Sequence, residues 1–411
     1  DGVKTSSGIV RVTVLAPPDA STAPITTPKT VFVNTLSTKD TDVTATDIDP
    51  AGGVLLVTAL DGPPRGSGVQ ASILDQHTVR VTLTAPLDGP VSFGYTETNG
   101  LASSPGTITV VEIPKPDRIQ PPVAQPDSAT VRVGDVANID VLDNDTQPEG
   151  EPLTLQPELV QNVPGDGGLL FVSGDHLRYL APKTPGNYTA VYRVAGPDGQ
   201  YADAAVSISV RERDAATNNP PVPQTVTARV VAGSSVRVSV PLNGIDPDGD
   251  SVQLVGVGSN PDKGSVTDVA ADALTYEAGD YSAGTDEFTY TVVDALGARA
   301  SGTVRVGIAP RAEQASNPVA EADHVTIRPG GSVTVRVLQN DSDPEGGQLT
   351  VAQAEPTAED VTAKILRKQQ IRVTPPKSAK SGDFAVLYTV ANTSGGSSTA
   401  FLTVTVDPDA Q

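Results

Sequence analysis

Apolar and polar residues alternate in short runs along almost the whole chain. Residues 225–310 carry the pattern most plainly, in "TVTARVVAG", "SVRVSVPL", "SVQLVGVG", "GSVTDVA", "ALTYEAG", "DEFTYTVVD" and "SGTVRVGIAP". Successive side chains of an extended chain point to opposite faces, so period-two alternation predicts strands with one face buried. Val and Thr dominate these runs, and β-branched side chains suit a pleated, half-buried surface. Gly, Asp, Asn and Pro separate the runs, each a turn former for its own steric reason. No stretch of a dozen residues places apolar side chains at i, i+3, i+4 and i+7, so an all-β chain is expected.

The pattern repeats. Four acid-rich corners interrupt it: "ATDIDPAGGVLLV" (45–57), "VLDNDTQPEGEPLTL" (141–155), "VPLNGIDPDGDSVQLV" (240–255) and "VLQNDSDPEGGQLTV" (337–351). Their prolines, Pro50, Pro148, Pro247 and Pro344, stand 98, 99 and 97 residues apart. A second marker, Tyr95, Tyr192, Tyr290 and Tyr388, keeps gaps of 97, 98 and 98. Two markers sharing one period define a tandem repeat. Seven short strands per unit, with frequent turn signals, fit an immunoglobulin-like sandwich of about 100 residues. Expected domains are 21–117, 118–214, 215–314 and 315–411. Residues 1–20 match the closing strand of the third unit and read as the last strand of a preceding repeat. Proline-rich joints at 112–127, 212–225 and 309–323 are expected to be short, stiff spacers, giving an extended array of units meeting end to end.

Composition narrows the partners. The formal charge of −21 disfavours nucleic acid and anionic lipid, which need Lys and Arg to offset phosphate. Cysteine is absent, so neither disulfides nor thiolate metal sites are available. No apolar run of about 18 residues suggests membrane insertion of this segment. Methionine is absent too, so the chain reads as a processed or internal piece.

The third unit resembles a known family. "PLNGIDPDGDSVQLVGVGSNPDKGSVT", "LTYEAGDYSAGTDEFTYTVVDALG" and "GTVRVGI" are similar to the bacterial immunoglobulin-like, cadherin-like repeat of large surface proteins and adhesins. The resemblance covers all four units and implies a cell-surface, extracellular setting, with Ca2+ at the acidic corners. The first unit departs from the pattern with Ala51 and Gly53 where acids are expected, and Gly244 replaces an Asp in the third.

Two readings of the corners stand side by side. Hard cations take six to eight oxygen ligands, and a tight acidic loop supplies several. Candidate metal ligands are Asp246, Asp248 and Asp250 in the third unit and Asp341 and Asp343 in the fourth. Asp47 and Asp49 in the first, and Asp145, Glu149 and Glu151 in the second, are further donors. The alternative is turn chemistry, in which Asp-Pro-x-Gly presets φ at proline and admits positive φ at glycine. The repeated tyrosines read as core, each with its hydroxyl on a backbone partner. No catalytic or cofactor-binding residues are expected; the three histidines read as strand-edge surface residues. Lysine-to-asparagine amide crosslinks would need a lysine and an amide or acid in matching strands of each unit; Lys29, Lys183, Lys263 and Lys364 do not repeat in register, so none is expected.

The leading functional expectation is therefore a structural spacer or stalk of a large exported bacterial cell-surface protein, displaying another module. Its partners would be neighbouring repeats of the same chain. A glycan- or protein-binding module, with a surface glycan or protein as partner, and a subunit of a surface layer or filament are the alternatives.

Overall fold

The computed structural model describes residues 15–114, 120–148, 150, 152–196, 199–311, 317–343, 347–358, 360–376, 378–393 and 395–408. The expected lone strand within residues 1–20 falls almost wholly outside them. Every regular element among the described residues is a strand.

In the first unit the strands are β1 (Lys29–Asn34), β2 (Thr38–Asp42), β3 (Leu56–Asp61), β4 (Val69–Leu74), β5 (Thr78–Leu83), β6 (Val91–Thr98) and β7 (Ser103–Ile113). They form a four-stranded sheet in the order β1-β7-β6-β3 and a three-stranded sheet in the order β2-β5-β4. All four units repeat these two orders. The alternating pattern explains the pairing of layers: Val79, Val81 and Leu83 of β5 face Phe93, Tyr95, Ile108 and Val110 of β6 and β7 in one buried cluster. Each unit has such a cluster, and none contains a residue of another unit.

β1 runs parallel to β7, whereas the other pairs are antiparallel. The same parallel closure recurs in the other three units. With first and last strands parallel, the chain enters at one end of the sandwich and leaves at the other. That is the connection a string of units requires.

The repeated tyrosines are core residues, at most 2% exposed. Tyr95 lies opposite Gly106, and Tyr290 opposite Gly302, on the neighbouring strand. A Cβ at Gly106 would lie 2.1 Å from the Tyr95 ring, so the phenol needs the bare backbone beside it.

The solvent-accessible surface is 21943 Å², close to the roughly 22,000 Å² of four separate quarter-sized units and well above the roughly 15,000 Å² of one globule of this mass. The units nonetheless touch beyond their sequence neighbours. Arg229 of the third unit donates to the Leu55 carbonyl at 2.7 Å, and Thr285 accepts from the Val54 N–H at 2.8 Å. Arg80 of the first unit pairs with Glu321 of the fourth at 2.9 Å. The extended, end-to-end array expected from the proline joints is therefore not what the structure shows, since the first unit lies against both the third and the fourth. The approach is backbone-close: a Cβ at Gly100 of the first unit would lie 2.2 Å from the Gly284 nitrogen of the third, and one at Gly307 would lie 2.8 Å from Val54.

Candidate cation site and the joint beside it

The corner of the third unit folds as an Asx-type turn. Asp246 Oδ1 accepts from the N–H groups of Asp248 (2.9 Å) and Asp250 (3.1 Å). Gly249 closes the turn at φ +84°, in the left-handed region where a side chain is strained. Turn chemistry therefore operates here, as the sequence allowed. It does not use all the oxygens. One carboxylate oxygen each of Asp246, Asp248 and Asp250 lies within 4.8 Å of the other two. Asp246 Oδ2 and Asp250 Oδ1 are buried without a hydrogen-bond partner. Burial, and then the charges of Asp250 and Asp294, push the Asp246 carboxyl above its ordinary value. The Asn219 N–H, with Arg132 adding its charge, holds Asp248 below it.

A cation from the preceding unit is already present. Arg132 Nε donates to Asp250 Oδ2 at 3.0 Å, and Nη2 lies 3.6 Å from Asp248 Oδ2. Its Nη1 donates to the Glu212 carbonyl at 2.6 Å, which fixes the fork. Around it, the Arg132 N–H donates to the Gly249 carbonyl at 3.0 Å, and the Ser251 N–H to Asp135 at 2.9 Å. Arg132 is 5% exposed. The corner is thus also the joint between the second and third units. Three converging carboxylates, two of which keep a buried oxygen without a partner, suit a divalent cation in type. The guanidinium supplies part of the charge such an ion would bring.

The other acidic corners differ. Asp341 Oδ1 accepts from the Glu321 N–H at 2.8 Å, and Tyr388, which donates to Asp323 at 2.9 Å, lies between Asp341 and Asp323. Burial, together with the nearby Asp323 charge, pushes Asp341 up to about 7. Asp343 points at Gly347 across residues 344–346, which lie outside the described set. In the second unit Asp145 shares Tyr192 with Asp127, while Glu149 and Glu151 lie outside the described residues. In the first, Asp47 binds Lys29 at 2.6 Å, and Asp49 accepts from Ala51 N–H, Gly53 N–H and Asn99. These two acids are used internally.

The phenol oxygens follow the same division. Tyr192, Tyr290 and Tyr388 donate to the Gln125, Gln224 and Glu321 carbonyls, as expected, but Tyr95 donates to the Asp47 carboxylate. Among the histidines, the His77 ring bonds the Asp75 carbonyl and the His176 ring the Asp175 carboxylate, both near in sequence, and His324 bonds Thr405 across the sheet. Sequence reasoning missed Arg132, which stands between core-facing Val131 and Val133 on the other face of "ATVRVGD", where a charged side chain is ordinary and gives no signal.

Four sandwiches of one topology, strung by parallel end strands, define a tandem immunoglobulin-like β protein. A family model described as the bacterial Ig domain matches residues 20–111, 119–209, 218–307 and 315–405, and the chain belongs to that family. No curated protein matches the chain. Among solved structures it is similar to the human desmocollin-1 ectodomain (15% identity, 96% of this chain and 81% of that one, TM-score 0.21). It is also similar to Drosophila N-cadherin EC1-4 (13%, 86% and 91%, TM-score 0.22). A third likeness is to an endo-fucoidan hydrolase of glycoside hydrolase family 107 (15% identity, TM-score 0.23), where 72% of this chain spans 45% of that one. Likenesses at this level carry no argument about activity.

Proposed function

We propose that this chain is a spacer within a longer, exported bacterial surface protein, holding another module away from the cell, with no catalysis of its own. The observation that carries the reading is the set of four complete hydrophobic cores with no residue shared between units. Such modules set length by number, because each is stable by itself and interacts through its surface. Parallel first and last strands favour the same reading, since they pass the chain from end to end of every unit. The charge of −21 opposes collapse, most strongly at low salt. No helix among the described residues is long and apolar enough to cross a membrane. Small-angle scattering of the chain tests the proposal. The radius of gyration should clearly exceed the roughly 22 Å of a single compact particle of this length, and a value near 22 Å removes the spacer reading.

A second reading concerns the third-unit corner. The unsatisfied oxygens of Asp246 and Asp250 favour Ca2+ binding by Asp246, Asp248 and Asp250, which would stiffen the joint between the second and third units. Melting in calcium against chelator distinguishes this from a plain turn. For Asp341 and Asp343 of the fourth unit the corresponding proposal is weaker in donors: Asp341 also keeps a buried oxygen without a partner, but among the described residues no third carboxylate converges with the pair.

A further inference from the structure

The tyrosine of each unit sits over one small polar cell, and register identifies the residues that fill it. The first strand contributes Lys29, Asp127, Val226 and Asp323, each paired with the residue two beyond the tyrosine's cross-strand partner. The corner contributes Asp47, Asp145, Gly244 and Asp341, each three before the repeated proline. Two residues after the tyrosine stand Glu97, Val194, Val292 and Val390, all buried at 0% exposure. The second and fourth units hold Asp, Asp and Val; the third holds Val, Gly and Val. Only the first holds Lys, Asp and Glu. A lysine and a core glutamate thus replace other residues together, in one unit and in one cell.

The geometry of that cell is reactive. Lys29 Nζ lies 2.6 Å from Asp47 Oδ1, and their side chains are 9% and 0% exposed. Thr27 and Thr46 hydroxyls accept from Nζ at 2.6 Å each, which aims the nitrogen at the carboxyl. Tyr95 donates to the other oxygen, Asp47 Oδ2, at 2.9 Å. Neither oxygen of Glu97 receives a hydrogen bond, and its nearest charges are Asp47 and Lys29. Burial and the Asp47 charge push Glu97 up to about 8, so at neutral pH it is held chiefly as the neutral acid.

We propose that Lys29 and Asp47 condense to an intramolecular amide, with Glu97 as proton relay, so that the first unit carries a covalent crosslink the other three lack. The Lys29 ammonium first passes a proton to Asp47. The neutral amine then attacks Asp47 Cγ, forming the C–N bond, while the Tyr95 hydroxyl stabilises the oxyanion on Oδ2. Glu97 protonates the departing hydroxyl as the C–O bond breaks. It recovers its proton from the new amide nitrogen. The balance is one ammonium and one carboxylate to one amide and one water, with Glu97 restored. Exclusion of bulk water from the cell favours the amide over its hydrolysis, and the fixed approach supplies the effective concentration.

Intact-mass spectrometry of the purified 411-residue chain tests this directly. The chain should be lighter than its sequence mass by one water, and proteolysis should yield a branched peptide joining Lys29 to Asp47. Lys29→Arg, which keeps the charge but not the nucleophile, should restore the full mass. Glu97→Val, which installs the residue the other three units carry there and so should fold, should restore it too. A wild-type chain of full sequence mass overturns the crosslink and leaves a buried ion pair. Loss of water that persists in Glu97→Val overturns the relay.

Discussion

Replacing Arg132 with methionine should loosen the joint between the second and third units by an amount the structure sets. Asp250 keeps none of its side chain in water and Asp248 keeps 16%, so Arg132 is the counter-charge of a largely desolvated pair. Removing one partner of a buried ion pair costs about 3–5 kcal/mol, chiefly because the other charge is left unpaired. The lower end applies here, since Asp248 also accepts from Asn219 and retains some water. Methionine preserves most of the stem packing, so the loss reports on the charge. Asp250→Asn removes the other half, and in the double variant the two losses should fall short of their sum by about 1–3 kcal/mol. Hydrogen exchange gives stabilities unit by unit, which a single melting curve of a four-unit chain does not. Protection of the Tyr192 and Tyr290 strands should fall together in Arg132→Met, with the Tyr388 strand unaffected. Additivity within about 0.5 kcal/mol, or a loss confined to the second unit, would refute the joint.

If the third-unit corner binds Ca2+, calcium should raise its melting temperature by mass action, and Asp246→Ala with Asp248→Ala should abolish the rise; identical melts in calcium and chelator leave the turn alone. In the fourth unit, Asp341 is raised to about 7 from an ordinary 3.8. The unfolded chain therefore releases this proton first, and stability should fall as pH climbs from about 4 to about 7, then level off. The ceiling is about 4 kcal/mol, reduced to about 1–2 by partial solvent screening and by the charge interaction with Asp323. Asp341→Asn should flatten that decline, and parallel wild-type and variant profiles would contradict the assignment.

Strand identity, strand number and the fourfold repeat were legible because they rest on period-two burial and on turn residues with one conformational use. The Val79-Arg80-Val81 alternation and Gly106 opposite Tyr95 are local facts, decided within a few residues. What was not legible was decided by long-range register. Nothing near "VRVGD" says that Arg132 will meet Asp250 more than a hundred residues later, since the joint between units sets that contact. The acidic corners looked alike in sequence, yet the structure divides them by what lies opposite: Lys29 for Asp47 and Asp127 for Asp145 within a unit, Arg132 for Asp250 across the joint.

The lysines illustrate why register in sequence is a poor guide to chemistry in a repeat. Crosslinks in every unit would demand lysines at one offset, and their absence argued against any crosslink. The relevant unit of comparison is the three-residue cell beneath the tyrosine, whose members come from three strands or corners and are never adjacent in the chain. A buried charge is tolerated there only if a partner changes with it, since a lone carboxyl or ammonium in that core would cost several kcal/mol. Glu97 without Lys29 would be a second acid beside Asp47, and Lys29 without Glu97 would be an ordinary ion pair. Their joint presence is what sets the cell of the first unit apart from the other three. Glu97 in "YTET", where the matching strands read "YRVA", "YTVV" and "YTVA", is the residue that marks it in the sequence.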